Sequence, residues 1–159
     1  MKNRILQILG VAAVATIGMV SCTTDACKDV NCGISGTCLD GACICDDGYE
    51  GTNCDTEERA EFIGTYNVTE SCTSGDFSYS LTVTTSATGV TSIIVTNFGD
   101  FDVNVNGIVS GNNVTFASQT VGGGTFSGTG TVSGQVLTIT YNVTAGSSVD
   151  NCTMTCVKQ

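Results

Sequence analysis

Ten cysteines in a chain of 159 residues carry most of its available chemistry, and their spacing sorts them into three groups. Cys22 closes an apolar N-terminal run. Six more, Cys27 to Cys54, fall within 28 residues. Cys72, Cys152 and Cys156 lie at either end of a long Thr-, Gly- and Val-rich stretch. A thiolate at the edge of an export signal is a nucleophile for acylation. Cysteines packed as densely as the second group serve as cross-links in exported domains too small to build a core. A pair far apart in sequence can close a whole domain. Histidine, absent throughout, removes the Ser–His–Asp and Cys–His nucleophilic systems, the commonest general base and the commonest zinc ligand. An enzyme is therefore not expected, and neither is a cofactor.

Charge excludes a further class of partners. Fifteen acids face five bases, for a formal net charge of −10. No basic stripe exists to displace counterions from phosphates, so nucleic acid is not a partner. A basic patch for anionic lipid is missing too.

The N-terminal element comes first. Lys2 and Arg4 precede a run from Ile5 to Val20, whose 16 residues fall short of the ~20 a spanning helix needs. Basic head, short apolar middle and small residue before a boundary form the layout of a secretory signal. The boundary Met19-Val20-Ser21-Cys22 resembles the lipobox of bacterial lipoproteins. That resemblance implies removal of residues 1–21, acylation of Cys22, and a membrane contact made through acyl chains on Cys22. Two or three chains, at ~0.8 kcal/mol per buried CH₂, hold a protein on a bilayer where one does not. Thr23 follows the lipidated position where an inner-membrane retention signal would place Asp, which points to the outer membrane. Residues 22–26 form the tether.

The second group, in residues 27–54, has the spacing Cys27-x4-Cys32-x5-Cys38-x4-Cys43-x-Cys45-x8-Cys54. Spacing alone leaves fifteen pairings open. Asp40-Gly41 predicts a tight hairpin turn. Gly48 and Gly51 flank Tyr49, the one aromatic able to cover the cross-links. The tail Cys45-Asp46-Asp47-Gly48-Tyr49-Glu50-Gly51-Thr52-Asn53-Cys54 resembles that of EGF-like domains. This likeness implies the bonds Cys27–Cys38, Cys32–Cys43 and Cys45–Cys54. Zinc binding would need paired C-x2-C ligands, which are missing. Asp25, Asp29 and Asn31 are calcium candidates, although Ala26 stands where calcium-binding EGF domains place an acid or amide.

Residues 55–61 read as a charged linker, with Asp55 and Glu58 at capping-box spacing for one helical turn. From Ile63 onward the text alternates with period two. Eight strands are predicted: Gly64–Ser71, Phe77–Ser86, Ser92–Phe98, Asp102–Ser110, Asn113–Ser118, Gly124–Ser133, Val136–Thr144 and Asp150–Val157. Ser133-Gly134 marks the clearest hairpin. One parity collects Tyr66, Val68 and Cys72; Phe77, Tyr79, Leu81 and Val83; Leu137, Ile139, Tyr141 and Val143; and Cys152, Met154 and Cys156. A single apolar face over consecutive antiparallel strands calls for a sheet rolled on itself or a sandwich.

The opening Phe62-Ile63-Gly64-Thr65-Tyr66 and the run of hairpins resemble small lipocalin-like β-barrel domains of Bacteroidetes surface lipoproteins. For residues 62–159 this implies an antiparallel, eight-stranded up-and-down barrel and a Cys72–Cys152 bridge, with Cys72–Cys156 as the alternative. Cys156 is then a buried free thiol. The expected whole is all-β: a small disulfide-rich EGF-like module, then the barrel. Its expected work is non-catalytic, as an envelope lipoprotein that presents the barrel on an EGF-like stalk to a protein or glycan partner. Carriage of a small apolar ligand inside the barrel is the second reading, against which Phe77, Leu81, Ile93, Phe116, Phe126, Leu137 and Tyr141 are expected to fill the interior. Nothing in the sequence sets an oligomeric state.

Overall fold

The computed structural model describes residues 25–159, so Cys22, the export segment and most of the tether lie outside the described residues. Two short antiparallel pairs come first. β1 (Gly36–Leu39) pairs with β2 (Ala42–Cys45) across Asp40-Gly41, both of which have positive φ as a two-residue hairpin turn requires. β3 (Tyr49–Glu50) pairs with β4 (Thr56–Glu57). Disulfides Cys27–Cys38, Cys32–Cys43 and Cys45–Cys54 cross-link this module. They are the pairs that the EGF resemblance implies.

Eight further strands close into an antiparallel barrel. They are β5 (Gly64–Cys72), β6 (Gly75–Thr85), β7 (Ser92–Thr96), β8 (Asn104–Ser110), β9 (Asn113–Val121), β10 (Gly124–Ser133), β11 (Val136–Ala145) and β12 (Ser148–Lys158). Each strand pairs with its sequence neighbours, and β12 returns to β5 through Cys152 opposite Cys72 and Lys158 opposite Tyr66. Closure gives every strand a neighbour on both sides, although β6 meets β7 only over Thr82–Thr85 and β8 meets β9 only over Ile108–Ser110. Alternation places the core: Tyr66, Val68, Leu81, Val83, Ile93, Val95, Leu137, Ile139 and Met154 are all buried, while the outer faces are Thr, Ser and Asn. That is the reverse of a barrel embedded in lipid, which turns its apolar band outward.

Three local expectations are corrected. The Asp55–Glu58 capping box does not form. The turn is a 3-10 segment, Glu58–Phe62, with Glu57 at its cap and no side-chain cap bond, because Thr56 and Glu57 are already committed to β4. Phe98 ends no strand. It sits in a 3-10 turn, Phe98–Asp100, on the β7–β8 connection. Phe77 has inward parity but is exposed, because it lies so near the barrel rim that no layer closes over it.

The barrel has two dissimilar ends. At one, Phe62 is buried and its carbonyl accepts a 2.8 Å hydrogen bond from Tyr66 Oη, so the 3-10 segment seals the floor. The EGF-like module docks here. Glu58 N–H donates to the Gly48 carbonyl at 2.9 Å, and a Cβ on Gly48 would come within 2.7 Å of Val90 Cγ1 and 2.8 Å of Thr91 Cγ2. The opposite end carries the Thr73-Ser74, Asn97–Val103, Gly122-Gly123 and Gly146-Ser147 connections.

Candidate functional site

That second end forms a mouth, and the β7–β8 connection half-plugs it. Asn97, Asp100 and Asp102 all have φ between 54° and 59°, a region that Asn and Asp enter more readily than most non-glycine residues. Asn97 Nδ2 donates to the Ser80 carbonyl at 2.9 Å, and Asn97 Oδ1 accepts from Asp102 N–H at 3.0 Å. Gly99, at φ 66°, lies so close to the wall that a Cβ there would stand 2.5 Å from Tyr141 Oη. The turn drives Phe98 down the barrel axis, edge-on to Phe116, Phe126 and Tyr141 with ring centroids 5.2, 5.8 and 4.7 Å away. Edge-to-face packing of this kind adds to simple area burial. The deep interior is therefore filled.

Beside the plug a cavity of about 310 Å³ remains, lined by Glu70, Cys72, Ser74, Phe77, Gly99, Asp100, Phe101, Tyr141, Asp150 and Cys152. Phe77 and Phe101, 44% and 51% exposed, stand on its rim. Glu70, only 4% exposed, lies at its inner side. Tyr141 Oη donates to Glu70 Oε1 at 2.8 Å. The buried Tyr79 hydroxyl has no hydrogen-bond partner; it lies near Glu70 but outside bonding geometry. Burial raises the carboxyl's pKa above its usual range. The Tyr141 hydrogen bond and then the neighbouring Tyr79 hydroxyl oppose that rise, while the charges of Asp150 and Asp100 add to it. Both phenols are in turn held protonated, chiefly by burial and then by the Glu70 charge.

Asp150 behaves in the opposite way. Its carboxylate accepts from the Ser74 and Thr73 hydroxyls and from Ser74 N–H, and these donors lower its pKa. It stays ionised at the rim.

Cys72 and Cys152 are disulfide-bonded at this mouth, with a Cα separation of 4.0 Å, and Cys156 is a buried free thiol opposite Val68. Burial, then the Glu70 charge, pushes the Cys156 thiol up to about 12. The sulfurs of Cys72 and Cys152 and a Glu70 oxygen lie within 4.8 Å of one another, the one such acid–thiol group among the described residues. Oxidised, the two sulfurs have no thiolate to offer a metal. Of the calcium candidates, Asp25 Oδ1 accepts from Cys27 N–H at 3.0 Å and Asn31 Oδ1 from Gly33 N–H at 3.1 Å. Both are turn-forming side chains, and Asp29 is exposed.

Sequence reasoning missed Glu70. The period-two count runs Tyr66, Val68, Glu70, Cys72, so parity alone puts an acid on the inner face; polarity hid it. The plug loop left no comparable signal, since Phe98 reads as the end of a strand.

Residues 27–57 match the family model for the teneurin-like EGF domain. No curated protein matches the chain.

Proposed function

We propose that this chain is a non-catalytic binding module of the cell envelope, held to the outer membrane by acyl chains on Cys22, whose barrel mouth is the binding face. One observation carries the reading. The open mouth, with two uncovered aromatic rings over a buried acid, lies at the end of the barrel opposite the docked EGF-like module. The chain segment leading to Cys22 belongs to that module, so an anchor there leaves the mouth facing away from the bilayer. Absence of histidine supports a non-catalytic role. A partner of protein or glycan type fits the polar rim. Carriage of an apolar cargo inside the barrel is the weaker alternative, because Phe98, Phe116, Phe126 and Tyr141 occupy the axis.

Two substitutions test the parts separately. Cys22→Ser should release the chain from the membrane fraction and abolish incorporation of labelled fatty acid. A photo-crosslinker at Phe101 should capture an envelope partner, whereas one at Val136, exposed on the outer wall at the floor end, should not. Equal capture from both positions would reject the mouth as the binding face.

A further inference from the structure

We propose that the mouth cleft binds a small organic ammonium, its nitrogen on Glu70 and its carbon body between Phe77 and Phe101. This rests on the mouth being the binding face and names what that face takes.

Glu70 is an incomplete ion pair. It is more than nine-tenths buried, it lines the cleft, and the single hydrogen bond it receives goes to Oε1. Oε2 accepts none among the described residues. Beside it the Tyr79 hydroxyl is buried without a partner. Buried polar side chains are nearly always satisfied, so a carboxyl that lines a cavity with one oxygen accepting nothing marks a place where a hydrogen-bond donor is missing. A buried carboxylate needs a paired charge in particular.

Among the described residues none supplies that charge. Arg59 is spent at the barrel floor, where Nη1 donates to the carbonyls of Ser86, Gly89 and Ser92 at 2.8 to 2.9 Å. Lys158 ends β12 at the same floor and donates to the Glu61 carbonyl. Lys28 belongs to the EGF-like module. The mouth thus carries Glu70, Asp100 and Asp150 with no lysine or arginine in its lining. Such a cleft concentrates cations.

The walls distinguish an organic cation from a metal ion. Both oxygens of Asp150 are engaged by Thr73 and Ser74, and Asp100 Oδ1 accepts from Asn97 Nδ2 at 3.3 Å. Calcium or magnesium would need several free oxygens converging on one point. Instead the rim offers two phenyl faces and a disulfide, surfaces suited to carbon and to cation–π contact. An ammonium supplies two or three N–H donors, enough to satisfy Glu70 Oε2.

Calorimetric titration of the purified full chain with phenethylammonium chloride, phenylethanol and calcium chloride tests this. Phenethylammonium should bind about tenfold or more tightly than phenylethanol, the difference expected of one desolvated charge pair. Glu70→Gln should erase that preference. Phe101→Ala, on a half-exposed rim residue whose inner edge meets Phe126, should weaken phenethylammonium binding about two- to fivefold, with thermal unfolding of the variant checking that the core is retained. Lowering pH should weaken it in parallel with protonation of Glu70. The titratable and charged groups facing Glu70 are Tyr79, Tyr141, Cys156, Asp100 and Asp150. The Glu70→Gln variant separates its contribution from theirs. Equal binding of the alcohol, tighter binding of calcium, or unchanged affinity in Glu70→Gln would overturn the ammonium assignment. Each of these would leave the mouth intact as a binding face, which fails only if the crosslinker at Phe101 captures nothing selective.

Discussion

Glu70 is the residue on which this barrel departs from a purely apolar filling. Because burial holds its pKa above the ordinary 4.5, the folded chain binds a proton more readily than the unfolded chain does. Stability contributed by this group is then present at low pH and is lost as pH rises from the ordinary value through the raised one. Glu70→Gln should accordingly raise Tm at neutral pH and converge with wild type in acid, as thermal unfolding of both proteins across that range would reveal. A wild-type chain that is the more stable at neutral pH would contradict this. The opposite sign applies to Asp150, whose lowered pKa adds stability that disappears as pH falls. Comparing the two proteins rather than reading one pH curve isolates Glu70. Cys156 is inert for a different reason. Its raised pKa and complete burial leave almost no thiolate at neutral pH. Iodoacetamide should not modify the Cys156 peptide in native protein but should modify it fully once denatured, as peptide mass spectrometry will report.

At the scale of elements, two short segments outside the strands decide the architecture. Glu58–Phe62 floors the barrel, and Arg59 within it, 9% exposed, satisfies three carbonyls of the β6–β7 connection while bonding Glu57 at 2.8 Å. Arg59→Ala removes a donor from all three carbonyls, and Ser86 O loses its side-chain partner while Gly89 O and Ser92 O keep the N–H groups of Ser92 and Ser86. It should cost about 2–3 kcal/mol in urea unfolding. Lysine should rescue it only in part, since one ammonium cannot bond the three carbonyls that Nη1 reaches and also Glu57, which Nε reaches. The second segment, Asn97–Asp102, plugs the mouth. Gly99→Ala must both leave a comfortable φ and push against Tyr141, so a loss of about 1–2 kcal/mol or more is expected. Its signature should be local, with faster amide exchange in the plug than at the floor.

For the whole molecule, one bridge and one docking contact matter. Cys72–Cys152 spans 80 positions and joins the first barrel strand to the last. Replacing both cysteines with alanine should cost about 4 kcal/mol in denaturant unfolding, if chain entropy dominates. The EGF-like module is not a loose stalk. Gly48 is buried against Val90 and Thr91, and Glu58 Oε2 accepts from Gly111 N–H at 2.9 Å. Residues 55–61, expected as the linker, carry β4 and most of the 3-10 segment.

Period-two alternation and glycine-bearing turns determined the eight strands, their inward parity, the hairpin at Asp40-Gly41 and the one marked by Ser133-Gly134, whose two turn residues are Gly134 and Gln135, because these are short-range properties of pleat and φ. Likeness to EGF-like and lipocalin-like domains, rather than spacing, supplied the disulfide pairs. Tertiary structure alone decided which strand ends meet at the mouth, that Phe98 turns inward, and that Glu70 faces a cavity without a counterion. Those outcomes depend on contacts between residues as far apart as Glu70 and Tyr141, and on barrel closure, which no local pattern encodes.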